Sequence, residues 1–356
     1  MRIQSVKAWL QDLPLTKPYT IAYKSFENTQ IVFFEIELEN GIKGLGSANP
    51  FEEVVGETPA QTLIHLQHPD IQLLIGRDIR HYKKLIHEFS LNFAQFPGTL
   101  AAIDLALHDA FSKFLKIPLV DLFGRKIDAL PTSITIGIKE TREMLREATE
   151  FKKQGFRILK IKTGISVEED IERVLKLYEQ VGNEMLLRVD ANQGYTSAQL
   201  RRFLDETRSV PLELIEQPVP ADKTETLLEF PLEDRKKFVA DEALKDSSSA
   251  LLLSHQPHAY QVFNIKLMKC GGMLRARDIA TIAEIAGIDL FWGCNDESMA
   301  SITAALHLAY SCTNTRYIDL DGSFDLSRDW VTGGFTIRDG MMFCSNEPGL
   351  GLHITD

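Results

Sequence analysis

The sequence is poor in cysteine and holds no stretch suited to a bilayer. Its four cysteines (Cys270, Cys294, Cys312 and Cys344) are scattered over 356 residues with no Cys-x-x-Cys pair. That pattern reads as reduced thiols and excludes a disulfide frame. No run approaches the roughly 18 apolar residues of a membrane span. The opening Met1-Arg2-Ile3-Gln4-Ser5 has no apolar core behind it, so no secretory signal is expected. Positive charge is short as well. The formal net charge of -11 argues against nucleic acid or an anionic membrane as partner. A small anionic ligand stays open, because a local metal can invert the field. A dinucleotide fingerprint is also missing: Gly44-Leu45-Gly46 lacks a third glycine and a following helix. The tight histidine pair, His255 and His258, has no third nitrogen or sulfur ligand nearby and reads as surface. These absences point to a cytoplasmic enzyme.

What is present is ordinary in amount and ordered in pattern. Hydrophobic residues make up 44% and charged residues 25%, enough for two sizeable cores in a chain of this length. Residues 1 to about 40 read as strands, with Asn40-Gly41 as a hairpin turn. Helical patterns follow near 58–67 and 79–91. The stretch Thr99 to Leu115 is apolar almost all round and predicts a buried helix. Within it Asp104 and His108, spaced i, i+4, read as a buried structural pair. Pro118 and Leu122-Phe123-Gly124 close this half near residue 125.

From about 131 the pattern changes. Eight β-rich runs are expected at 133–136, 158–162, 186–190, 213–216, 238–241, 262–266, 289–292 and 317–320. Seven helical segments lie between them: 141–153, 167–181, 197–206, 222–229, 246–253, 274–286 and 299–312. Strict alternation implies right-handed crossovers and a parallel sheet. Eight units close into a barrel, so the fold class is α/β of the (β/α)7β TIM-barrel type. An open doubly wound sheet is the alternative, and its glycine fingerprint is missing. The Gly-rich tail from 321 to 356 is expected to fold back on the first 125 residues.

In a barrel, polar residues at strand ends face the active site. Here they are Lys160 and Lys162, Asp190, Glu216, Asp241, Lys266, and then Asp319 and Asp321. Singly, an acid after a strand often caps the next helix. Asp190, Glu216 and Asp241, however, sit at successive strand ends, 26 and 25 residues apart. They converge, and three clustered carboxylates repel unless a cation neutralises them. An all-oxygen set suits Mg2+, with Asn192 supporting either the metal shell or the next turn. Lys160 and Lys162 share one strand face. Two neighbouring ammonium groups repel, so at least one is expected to lose its proton more readily. Lowering a lysine from about 10.4 to near 7.5 costs roughly 4 kcal/mol, acceptable for a general base. Lys266 lies four units further round and approaches from the opposite side. A carboxylate on the metal makes the adjacent C–H more acidic. One lysine removes that proton and the other returns it on the far face, which inverts the carbon.

Five segments now carry a resemblance: Leu159-Lys160-Ile161-Lys162-Thr163-Gly164, Arg188-Val189-Asp190-Ala191-Asn192, Ile215-Glu216-Gln217-Pro218, Ala240-Asp241-Glu242 and Asn264-Ile265-Lys266. In order and register they resemble the enolase superfamily, muconate-lactonizing subgroup, over nearly the whole chain. The superfamily's use of a Lys or His base with Mg2+ is established chemistry. The resemblance implies an α+β capping domain over 1–125, a barrel over 126–320, and a terminal segment over 321–356 packing back on the cap. It implies metal ligands Asp190, Glu216 and Asp241, acid/base lysines Lys162 and Lys266, and Lys160 as electrostatic helper. Asp319-Leu320-Asp321-Gly322 resembles the Asp-x-Asp motif of dipeptide epimerases of the Ala-Glu type, where two carboxylates hold a substrate ammonium. Family members often assemble, so a homo-oligomer stays open.

Side-chain specificity departs from that type. Ala-Glu enzymes carry a basic residue in the N-terminal loop and another after the seventh strand. Here the loop holds Lys24, but Gly293 to Met299 holds no basic residue. Asp296 repels a substrate carboxylate and Met299 offers apolar contact. Thr135 on the first strand is expected to line the same pocket. The expected substrate is an Ala-Xaa dipeptide with a small or hydrophobic Xaa, and Lys24 leaves Ala-Glu open. The alternatives are o-succinylbenzoate synthase, N-acylamino acid racemase or a cycloisomerase of the same subgroup. Those substrates lack the free ammonium that Asp319 and Asp321 await. A catalytically silent protein on this fold is the third reading, opposed by the complete set of acids and lysines.

Overall fold

The computed structural model describes residues 1–22 and 24–355, with only the backbone of Pro18, Tyr19, Lys24 and Phe26. Its first part is an antiparallel sheet of Ile3–Ile21, Lys24–Leu38 and Lys43–Ala48. The buried helix Pro97–Leu115 lies across it. Gly44 and Gly46 explain how closely. A side chain at Gly46 would strike the Ala102 carbonyl, and one at Gly44 the Ala106 carbonyl. The two glycines therefore serve helix–strand packing, not a nucleotide.

Eight parallel strands form the second part: Ile134–Ile136, Ile158–Lys162, Leu186–Asp190, Leu212–Glu216, Phe238–Ala240, Val262–Ile265, Asp289–Trp292 and Thr315–Ile318. They neighbour one another in chain order. A parallel bridge between Thr132 and Ile318 joins the last to the first and closes the barrel. Helices alternate with the strands as the patterning predicts, and their starts carry the expected signals. Ser166 caps Val167–Val181, whose first turn holds Glu168, Glu169 and Asp170 against the positive helix end. Thr196 and Gln199 form a capping box on Ser197–Glu206.

Asp104 proves structural. Its carboxylate accepts the Met273 and Leu274 N–H groups at 2.9 and 3.2 Å, capping the barrel helix Met273–Ala286. His108 Nδ1 lies 3.0 Å from the same carboxylate. The tail adds strands Phe335–Arg338 and Met341–Cys344 beside Leu130–Pro131, and pairs Val331–Gly333 with Leu352–Ile354. It bonds back to the first part through Leu350 N to Asp109 Oδ1 at 2.8 Å and Ser327 N to Pro14 O at 3.0 Å.

Three local expectations shift. The eighth strand ends at Ile318, because Leu320 N turns away to Thr132 Oγ1 at 3.0 Å. The segment Ala221–Glu229 is a 3-10 turn kinked at Lys223. His258 is buried, with Nε2 3.2 Å from Ser254 O, while His255 stays exposed. Among the described residues, no helix is long and apolar enough to cross a membrane.

Candidate active site

The barrel register assembles the site. Lys162, Asp190 and Glu216 are successive Cα partners across three neighbouring strands. Asp241 follows the fifth strand at once, and Lys266 follows the sixth. Strands two and six stand opposite in a closed ring of eight, so Lys162 and Lys266 face each other across the mouth.

All of these groups are buried or nearly so. Lys162 Nζ lies 2.7 Å from Asp190 Oδ2 and 3.2 Å from Asn192 Oδ1. Lys160 Nζ meets Asp190 at 3.1 Å, Glu216 at 2.8 Å and Asp319 at 2.8 Å. Lys266 Nζ lies 2.8 Å from Asp241 Oδ2. Glu216 also accepts from Asn264 Nδ2 at 2.7 Å.

The charges follow from these neighbours. Burial alone would lower Lys160, but Asp319, Glu216 and Asp190 raise it well above an ordinary lysine. Burial likewise opposes the charge of Lys266, and Asp241 then Glu216 raise it strongly. The expected repulsion between Lys160 and Lys162 therefore does not release a proton from Lys160. Three carboxylates surround that ammonium, and a reading along one strand does not count them. Asp190 falls to about 2 despite burial, because Lys162 and Lys160 stand beside it. Glu216 goes the other way, to about 7, through burial and the neighbouring Asp190. Burial and Asp241 push Glu242 up to about 8.

Do these residues suit a metal? Among the described residues, no three acidic, His or Cys side chains stand ready to hold an ion as placed. The reason is visible in the ion pairs. Ammonium groups occupy oxygens of all three carboxylates. The donor chemistry nonetheless fits a hard divalent cation: three buried carboxylates, no sulfur, no imidazole. Burial and Asp190 raise Glu216, and a further cation beside it would favour its ionised form.

Asp319 and Asp321 form the second acidic group. Asp319 accepts from Ser133 Oγ at 2.5 Å and from Lys160 at 2.8 Å. Asp321 Oδ2 accepts from Thr135 N at 2.7 Å. Burial, Asp319 and Asp325 push Asp321 up to about 8.

Two lobes of one cleft connect these groups. The outer cavity, about 370 Å³, is lined by Lys160, Lys162, Thr135, Asp319, Asp321 and others. The inner cavity, about 90 Å³, holds Lys162, Lys266, Asp241 and the apolar Phe51, Val54 and Met268. Lys162, Cys294, Asn295 and Asp296 line both.

Lys24 begins the second strand, but its side chain lies outside the described residues. Met299 is a correction. It opens the helix Met299–Ala309 and packs against the cluster of Leu13, Leu15 and Phe33, away from either lobe. Two residues escaped the sequence reading. Lys269, on the short helix Leu267–Cys270, pairs with the Asp241 carboxylate and its backbone carbonyl. Gln217 Oε1 accepts the Asp241 and Ala243 N–H groups at 2.9 and 3.0 Å, fixing the loop that carries Asp241. Lys269 repeats Lys266 at i+3, a weak signal; Gln217 stands inside a motif segment, with no role of its own read for it.

Residues 143–356 match the enolase C-terminal domain-like family. Residues 5–124 match the mandelate racemase/muconate lactonizing enzyme N-terminal domain. The chain belongs to this family. It is 47% identical over 352 residues to an L-Lys-D/L-Arg epimerase of Desulforapulum autotrophicum, covering 99% of each. It is 36% identical to a hydrophobic dipeptide epimerase of Enterococcus faecalis, covering 99% of each. Among solved structures, the dipeptide epimerase of Methylococcus capsulatus with Mg and the dipeptide L-Arg-D-Lys superposes with TM-score 0.97 at 46% identity, covering 99% of each chain.

Proposed function

We propose that this chain is an Mg2+-dependent dipeptide epimerase that inverts the α-carbon of the C-terminal residue of cationic dipeptides. The observation that carries it is the facing pair Lys162 and Lys266 over three buried carboxylates, with Asp319 and Asp321 in the same cleft. Mg2+ held by Asp190, Glu216 and Asp241 would bind the substrate carboxylate and neutralise charge developing there. The protein's own groups do the rest. Asp321, with Asp319 behind it, takes the substrate ammonium. Lys160 and Ser133 hold Asp319 in place. Lys162 takes the α-proton of one epimer and Lys266 supplies one from the far side; the reverse reaction swaps their roles.

The Ala-Xaa substrate expected from sequence gives way to one carrying Lys or Arg. Asp296 lines both lobes. An acid that repels a glutamate side chain also attracts a cation, and the sequence reading drew only the first consequence. The name of the Desulforapulum autotrophicum relative supports the same choice. A hydrophobic dipeptide is the second reading, favoured by the apolar Ile21, Phe51, Val54 and Val55 in the inner lobe. Four free cysteines suit a cytoplasmic setting.

A dipeptide library incubated with enzyme and Mg2+ in D2O, read by deuterium gain, separates these readings. Lys- and Arg-containing dipeptides should exchange fastest. Exchange fastest among apolar dipeptides would favour the second reading. No exchange in any dipeptide would remove the proposed activity.

A further inference from the structure

The outer lobe is larger than an α-ammonium needs. Besides Asp319 and Asp321, its lining includes Asp325 and Glu147, with Lys17 and Lys139. Phe151, Phe156 and Phe324 also line it. A cavity of about 370 Å³ is in the range of a ligand site, with apolar walls and a few polar groups.

Asp325 is held firmly. Phe324 N bonds Asp321 O at 2.8 Å, and Asp325 O accepts Thr16 N at 2.7 Å. Its carboxylate, by contrast, has no hydrogen-bond or ion-pair partner among the described residues. Glu147 already has partners: Lys139 at 3.0 Å and, more loosely, Lys17 at 3.5 Å, whose side chain is 61% exposed. Burial and then Glu147 push Asp325 up to about 6, while Lys139 and Lys17, which line the same cavity, pull it down, so a cation nearby favours its ionised form. A second observation points the same way. Asp321, only 5% exposed, lines the same space, and its Oδ1 has no partner among the described residues.

The order of the lobes decides which part of a substrate arrives there. The reacting carbon lies between Lys162 and Lys266, and Lys266 lines only the inner lobe. The α-ammonium reaches Asp321 in the outer lobe. The N-terminal side chain is then the part that enters the rest of the outer lobe.

We propose that Asp325, backed by Glu147, is a specificity-determining residue that takes the terminal cation of a long N-terminal side chain, lysyl or arginyl. The aliphatic stem lies along Phe151, Phe156 and Phe324. This rests on the dipeptide-epimerase reading, and the test separates the two. The substrates share a C-terminal arginine and differ only at the N-terminus: lysine, or norleucine, which has nearly the same length without the charge.

Wild-type enzyme with Mg2+ should prefer the lysyl substrate at least tenfold in kcat/KM, with the difference in KM. Asp325→Asn should reduce that ratio at least tenfold. Equal use of both substrates by the wild type overturns the subsite while leaving the epimerase reading intact, and needs no variant to fold. A ratio unchanged in a folded Asp325→Asn protein overturns it too. Turnover of neither substrate, with exchange of other dipeptides, rejects the cationic N-terminus. Turnover of no dipeptide rejects the underlying reading instead.

Discussion

Asp321 carries a pH dependence that belongs to one residue. Its carboxyl is pushed up to about 8 by burial and by Asp319 and Asp325. Below that pH the empty site is largely protonated, and only the ionised form attracts an ammonium. KM for a free dipeptide should therefore fall as pH rises from 6 towards 8. It should rise again above about 8, where the dipeptide's own α-amino group loses its proton. Asp321→Asn should remove the acidic limb and raise KM at least tenfold. A flat wild-type KM, or the same limb in the variant, contradicts the ammonium role. At this scale the acids and lysines were legible because each lies close to the end of a strand. The direction of the Lys160 shift was not, since it depends on Asp319 and Glu216 from two other strands. Met299 misled because sequence shows an apolar side chain without showing what covers it.

Helix Pro97–Leu115 and strand Lys43–Ala48 depend on the absence of two side chains. Gly46→Val adds a group where the Ala102 carbonyl already sits. Overpacking of this kind costs roughly 1–3 kcal/mol, and the rigid helix backbone favours the upper end. The variant should unfold several degrees earlier in calorimetry. An unchanged Tm means that helix and strand do not pack this closely. Element boundaries were mostly legible, because periodicity and caps such as Thr196/Gln199 are local. The end of the eighth strand was not. It is set by the Thr132 hydroxyl, 188 residues away in sequence, taking Leu320 N.

For the whole molecule, the decisive fact is ring closure. Alternating strands and helices predicted a barrel, and the bridge from Thr132 to Ile318 completes it. Only a closed ring places strands two and six on opposite sides, and hence one lysine on each face of a substrate. The cleft's two-lobed shape was illegible, because it is made by the cap residues Phe51, Val54 and Thr16 together with barrel ends.

That placement has a direct test. Lys162→Ala and Lys266→Ala are each incubated with Mg2+ in D2O and a single epimer of a lysyl-arginine dipeptide, and α-deuterium is followed by NMR. The account predicts that neither variant interconverts the epimers, and that each exchanges the α-proton of one epimer only, the opposite one in the two variants. Interconversion by either variant, or exchange of the same epimer by both, would contradict a lysine on each face.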